Sequence, residues 1–140
     1  MKARLLDVNL TDNTVEKREL DDSYFNDWIG GRGLGAKLLS EEKVEYIDPL
    51  GESNVVIFTT SPLVGLAPGF NRIWVTTISP LTNYYTTSAA GGFTAAWLRK
   101  SGFDVIRIRG KSEKPVLLEV IDKEARIVET DLWGKTTDKT

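Results

Sequence analysis

Asn54-Val55-Val56-Ile57-Phe58-Thr59 is an unbroken apolar run closed off by polar residues. A strand with one wet face alternates apolar and polar side chains, whereas a strand covered on both faces reads as a continuous hydrophobic run. The run is therefore predicted as a central strand of a sheet. Downstream, the segment from Ser61 to Phe70 holds Pro62, Pro68, Gly65 and Gly69. It must be a loop, and its apolar side chains are expected to pack against something. Arg72 to Ile78 is β-branched and aromatic, as a strand should be. Ser79-Pro80-Leu81-Thr82-Asn83 turns the chain, and Tyr84 to Ser88 returns as another strand. The small residues Ala89-Ala90-Gly91-Gly92 then lead into a helix from about Phe93 to Lys100, stopped at Gly102.

Upstream, Ala3 to Leu10 and Thr14 to Leu20 flank the polar turn Thr11-Asp12-Asn13, a β-hairpin pattern. Asp21 or Asp22 is placed to cap a helix through Ile29, with Tyr24, Phe25, Trp28 and Ile29 on one apolar face. Gly30-Gly31 interrupts it. A second helix from Leu34 to about Glu42 carries Leu34, Leu38 and Leu39 on a common side, ahead of a loop at Asp48-Pro49-Leu50-Gly51. Towards the C-terminus, Val105-Ile106-Arg107-Ile108-Arg109 alternates, with isoleucines on one face and arginines on the other. Pro115 to Ile121 and Ala125 to Val128 read as two further strands around Asp122-Lys123-Glu124. The fold class this predicts is α+β: mainly antiparallel or mixed β-sheets with a few inserted helices.

The chain has 140 residues and no cysteine or histidine. That excludes a disulfide framework, a thiolate nucleophile, or an iron–sulfur cluster held by this segment. It also removes the commonest metal ligand and the commonest general base near neutral pH. Eighteen Lys and Arg against twenty Asp and Glu leave a net charge of -2, which disfavours nucleic acid and anionic membranes as partners. No run approaches the roughly 20 apolar residues a bilayer span needs, and the start lacks a signal peptide, so a cytoplasmic location is expected.

Ser88-Ala89-Ala90-Gly91-Gly92-Phe93 places small residues between a predicted strand and a predicted helix. Such a turn lets an anion reach bare backbone N–H groups. The alternative is a tight turn whose glycines only permit close packing. Gly30-Gly31-Arg32-Gly33-Leu34-Gly35 has a nucleotide-loop look, but its spacing is G-x-G-x-G, a helix precedes it, and no P-loop lysine follows. A helix break letting two elements cross closely is the better reading. Arg72 could hold a phosphate or a planar heterocycle with its fork, or stack on Trp74 or Phe70 at the surface. From Arg99 to Lys111 five basic residues face one acid, Asp104. This predicts a solvated sheet face, or a surface complementary to an acidic redox partner or to other parts of an enzyme.

In order along the chain, Leu6-Asp7-Val8-Asn9-Leu10-Thr11, Gly30-Gly31-Arg32-Gly33-Leu34, Ser61-Pro62-Leu63-Val64-Gly65, Arg72, Ser79-Pro80-Leu81-Thr82, Ala90-Gly91-Gly92-Phe93, Gly102-Phe103-Asp104, Gly110-Lys111 and Leu132-Trp133-Gly134-Lys135 form a series. This series resembles the N-terminal domain of the tungsten-containing aldehyde:ferredoxin oxidoreductase family. The resemblance covers essentially residues 1–140, as a tungstopterin-binding domain expected to be truncated at its C-terminal end. It implies a base of β-sheets on which a bis-pterin tungsten, or molybdenum, cofactor lies. It also implies cofactor contacts at Arg72, Ala89, Ala90, Gly91 and Gly92, with the backbone carbonyl of Ala89 helping to hold a magnesium that bridges the pterin phosphates. Where members often have Asn, this chain has Ala89: a backbone ligand survives the change and a side-chain hydrogen bond does not. A complete enzyme would carry a [4Fe-4S] cluster, further C-terminal domains, an aldehyde substrate and ferredoxin as electron acceptor, with a homodimer left open. The 140 residues would be inactive alone. A free-standing pterin-cofactor carrier or a non-catalytic subunit is the alternative, decided by whether the reading frame continues into a Cys-rich domain. The ending from Leu132 to Thr140 has helix-start chemistry and no helix, read as a cut boundary or a frayed terminus.

Overall fold

The computed structural model describes residues 1–43 and 47–139. Among the described residues, eight strands and three helices follow one another in the order β1 (Ala3–Asn9), β2 (Thr14–Leu20), α1 (Ser23–Trp28), α2 (Gly31–Glu41), β3 (Val55–Thr59), β4 (Ile73–Ile78), β5 (Tyr85–Ala90), α3 (Thr94–Lys100), β6 (Val105–Arg109), β7 (Val116–Ile121) and β8 (Glu124–Glu129). Six strands make one sheet in the order β2-β1-β6-β3-β4-β5, and β7 pairs with β8 alone. The fold is α+β. The apolar run of β3 lies inside the sheet, between β6 and β4. One pairing, β1 with β6, is parallel. Sequence alternation does not reveal it, because parallel neighbours are joined only through long crossovers.

Each sheet face carries its own core. On one face, Leu5, Val55, Ile57 and Val105 pack under Leu34, Leu38 and Leu39 of α2 and Phe25 of α1. Each such side chain contributes about 1.5–3 kcal/mol on burial. On the other, Leu6, Val8 and Ile73 meet Ala95 and Leu98 of α3, Phe103 and Val64, with Leu118, Val120 and Ile127 of the β7–β8 hairpin alongside. Two expectations of burial are corrected. Of the face assigned to α1 only Phe25 is buried, while Trp28 is 42% and Ile29 69% exposed. Ile29 takes a left-handed φ of 63° as the helix cap, which swings it out of the helical stripe. In the loop after β3 only Val64 is buried, and Leu66 and Phe70 stand exposed. Asp21 rather than Asp22 makes the polar bond at the start of α1, its Oδ1 accepting the Ser23 N–H at 3.0 Å.

Of the basic segment around β6, Lys100 and Lys111 are exposed, but the arginines do not form a solvated face. Arg107 donates from Nε and Nη2 to both Asp7 oxygens, at 3.0 and 2.6 Å, and from Nη1 to Glu42. Arg99 and Arg4 both pair with Asp104, which is 1% exposed. These arginines are spent on two buried carboxylates that lie across the sheet, a pairing no local pattern discloses.

The glycines of the Gly30–Gly35 stretch are packing glycines. A Cβ at Gly30, whose φ is +106°, would lie 2.5 Å from the Thr60 carbonyl oxygen, and one at Gly31 would lie 3.0 Å from Trp74 Cδ1. At Gly35 a Cβ would overlap Thr76 Oγ1 and lie 3.1 Å from Thr76 Cβ. The helix thus rests directly on β4. Gly35→Ala is expected to destabilise the chain by about 1–3 kcal/mol through overpacking. Thr76 Oγ1 has no hydrogen-bond partner among the described residues, so adding Thr76→Ala should restore much of the loss. Urea unfolding of both single variants and the double variant checks the coupling.

Candidate functional site

β4 and β5 run antiparallel, Ile73 opposite Ala90 and Trp74 opposite Ala89. β5 is the edge strand. It extends two residues beyond the predicted Ser88, so Ala89 and Ala90 belong to the strand and not to a turn. Alanine is small enough for either, and pairing with β4 decides. Successive strand side chains point to opposite faces. Ala90 accordingly lines an apolar groove with Ile73, Val75 and Trp97, and Ala89 stands on the Trp74 side. What the two alanines offer a ligand is backbone: along an edge strand alternate residues turn their N–H and C=O away from the sheet.

The turn proper is Gly91-Gly92. Gly92 has a φ of +93°, a conformation that favours glycine. Gly91 does not lie in the left-handed region, and a Cβ there would meet nothing within 4 Å. Neither a left-handed φ nor packing against the described residues accounts for glycine at 91. The close-packing alternative for this turn therefore does not apply.

Arg72, exposed at the entry to β4, lines a concavity of about 320 Å³ with Gly69, Asn71, Gly91, Gly92 and Phe93. It makes no ion pair with the described residues. The loop beside it is tied by the Asn71 Oδ1, which accepts the Gly65 N–H at 3.2 Å. Stacking on Trp74, one alternative for Arg72, falls instead to Arg32, whose Cζ lies 4.8 Å from the ring centroid. Helix α3 follows the turn but has only seven residues and no side-chain cap. Guanidinium and peptide groups, rather than a long helix dipole, make the site attractive to an anion.

Two features lie outside the sequence reading. Arg32 gives no signal in spacing because its partner is the strand beneath the helix. The Asp104 cluster ties α3 to the loop after β3: Arg99 on α3 donates from Nη1 to the Ser61 carbonyl at 2.6 Å while its Nε lies 3.2 Å from Asp104. Among the described residues no group of three His, Cys, Asp or Glu could hold a metal. No helix among them is long and apolar enough to cross a membrane.

Residues 5–140 match the family described as aldehyde ferredoxin oxidoreductase, N-terminal domain. The tungsten-containing aldehyde ferredoxin oxidoreductase of Pyrococcus abyssi is 37% identical over 139 residues, covering 98% of this chain and 23% of the relative. The aliphatic sulfonate oxidoreductase WOR-like subunit of Pyrococcus furiosus is 37% identical over 135 residues, 94% of this chain and 22% of that subunit. Among solved structures, the active site complex BamBC of benzoyl coenzyme A reductase superposes with a TM-score of 0.88 at 33% identity, over 92% of this chain and 20% of that one. The chain spans less than a quarter of the length of the curated relatives it matches. By sequence and by fold, it belongs to the aldehyde ferredoxin oxidoreductase N-terminal domain family.

Proposed function

We propose that this chain is the cofactor-holding wall of a tungsten-dependent aldehyde:ferredoxin oxidoreductase. The ligand is a phosphorylated pterin carrying tungsten or molybdenum, and the relatives named as tungsten-containing support that metal. The observation that carries the reading is Gly91, left bare beside an exposed Arg72 that has no carboxylate partner among the described residues. A residue that could bear a side chain for its own fold, yet bears none, leaves room for a ligand.

Arg72 would hold a phosphate through paired N–H groups. The outward-turned peptide groups along the Ala89–Ala90 edge, and those of Gly91 and Gly92, would line the ligand's flank. The backbone carbonyl of Ala89 would help to hold a magnesium ion. When bound, the group would supply the two-electron chemistry that turns an aldehyde and water into a carboxylic acid, and a [4Fe-4S] cluster and ferredoxin would be the electron acceptors of the complete enzyme. This chain binds and orients; the cluster ligands and acid–base groups belong to other polypeptide. The relatives support that division, since they are named for an aldehyde, an aliphatic sulfonate and a coenzyme A thioester while sharing this stretch. A part common to different substrates is suited to hold the cofactor, not to select the substrate.

Arg72→Gln in the full-length enzyme is expected to lower tungsten and pterin per polypeptide about tenfold, from the loss of one charge-assisted contact worth about 1.5 kcal/mol. Its melting temperature without cofactor should not move. Metal analysis and pterin fluorescence on the same preparation check this, and unchanged content would remove Arg72 from the site.

A further inference from the structure

Six of the eight arginines, Arg4, Arg18, Arg99, Arg107, Arg109 and Arg126, have a carboxylate within salt-bridge distance. The two without one among the described residues are Arg32 and Arg72. They come from different elements, α2 and the loop before β4, yet converge on one corner of the sheet. Arg32 lies over Trp74, Trp74 pairs with Ala89, and Arg72 stands two residues before Trp74, about 7 Å along the strand direction.

The placement of Arg32 is built, not incidental. Gly30 and Gly31 both have positive φ, and Gly31 is pressed against the Trp74 ring so closely that a Cβ would meet Cδ1 at 3.0 Å and Nε1 at 3.1 Å. This seats the first turn of α2 on the indole and sets the next side chain over its face. A guanidinium stacked on an aromatic ring keeps its N–H edge free for in-plane hydrogen bonds, and the ring fixes its orientation. Arg32 is exposed, and opposite Trp74 the small Ala89 leaves that flank uncrowded. A fixed, solvated cation with no anion paired to it among the described residues, beside the ligand's backbone wall, is suited to a phosphate group.

We propose that Arg32 is a second phosphate-binding residue. It would grip the phosphorylated cofactor from the α2 side of Ala89 as Arg72 does from the loop side. This rests on the cofactor reading given above and extends it to a residue that reading does not use.

The test compares Arg32→Met, Arg32→Lys and Arg72→Gln with the parent, all in the full-length enzyme produced with cofactor. Tungsten and oxidised-pterin fluorescence are measured per polypeptide, with the melting temperature of the cofactor-free form beside them. Reading the pterin itself means that inorganic phosphate caught by the pair does not count. Methionine keeps apolar contact with Trp74 and removes the charge; lysine keeps the charge. Arg32→Met is expected to lose pterin roughly fivefold or more, with an unchanged melting temperature, and Arg32→Lys to retain most of it. Full pterin in Arg32→Met alongside loss in Arg72→Gln would overturn the proposal and leave the cofactor reading standing. Full pterin in both would overturn the two together. Loss in Arg32→Met and Arg32→Lys alike, matched by a lowered melting temperature in both, would make Arg32 a packing residue and also overturn the proposal.

Discussion

Asp7→Ala is expected to destabilise the chain by about 3–5 kcal/mol, the usual consequence of removing one partner from a buried ion pair. Asp7 is 3% exposed and lies in β1, where Arg107 holds both its oxygens and Arg109 and Arg18 stand 3.5 and 3.6 Å from it. Without it, three guanidinium groups face one another; Arg107 keeps a second carboxylate, Glu42, and Arg18 keeps Glu16, while Arg109 has no other among the described residues. Urea unfolding should show an earlier midpoint with an unchanged slope. Asp7→Leu combined with Arg107→Met should recover part of the loss, because a packed apolar pair avoids the desolvation cost.

The same group sets an acid limit. Burial pushes the Asp7 carboxyl upward, but the hydrogen bonds from Arg107 and the charges of Arg107, Arg109 and Arg18 outweigh it and hold the carboxyl below its ordinary range. A depressed folded pKa means the stabilisation is complete above the unfolded value, about 4, and is lost as the pH falls below it through the folded value. Asp7→Asn should therefore remove a share of the acid-side loss seen in the parent. An identical pH profile in the two proteins would show that Asp7 does not set it.

Local chemistry made the strands legible and left the site half-written. Val55 to Phe58 could be placed inside a sheet because a two-faced environment imprints an unbroken apolar run. The Gly30–Gly35 stretch declared close packing because nothing else explains four glycines around a leucine and an arginine after a helix. Ala89 and Ala90 were open to misplacement at the boundary of β5, since residues without large side chains suit strand and turn alike, and the pairing with Ile73 and Trp74 is not local. Asp7 with Arg107, and Arg4 with Asp104, join residues 100 positions apart. Such partners are found only once β6 is known to insert between β1 and β3. Arg32 on Trp74 has the same origin: helix and strand meet through the glycines, and the contact follows from the meeting.

Gly91→Val should separate folding from binding most sharply. Valine suits a backbone outside the left-handed region, and a Cβ at 91 meets nothing within 4 Å, so the apo stability should lie within about 0.5 kcal/mol of the parent, as for an unencumbered surface change. Gly92→Val, by contrast, must force a branched side chain to a φ of +93° and should lose stability as well. In the full-length enzyme, Gly91→Val places two methyl groups into the concavity shared with Arg72, where a phosphorylated ligand would approach the backbone. Tungsten and pterin content are expected to fall to about a tenth or less, beyond the effect of Arg72→Gln, because steric exclusion removes every contact on that flank and not one. Gly91→Ala should fall between. A Gly91→Val enzyme that folds normally and carries full cofactor would mean that the bare turn faces no ligand. The arginines beside it would then need another explanation.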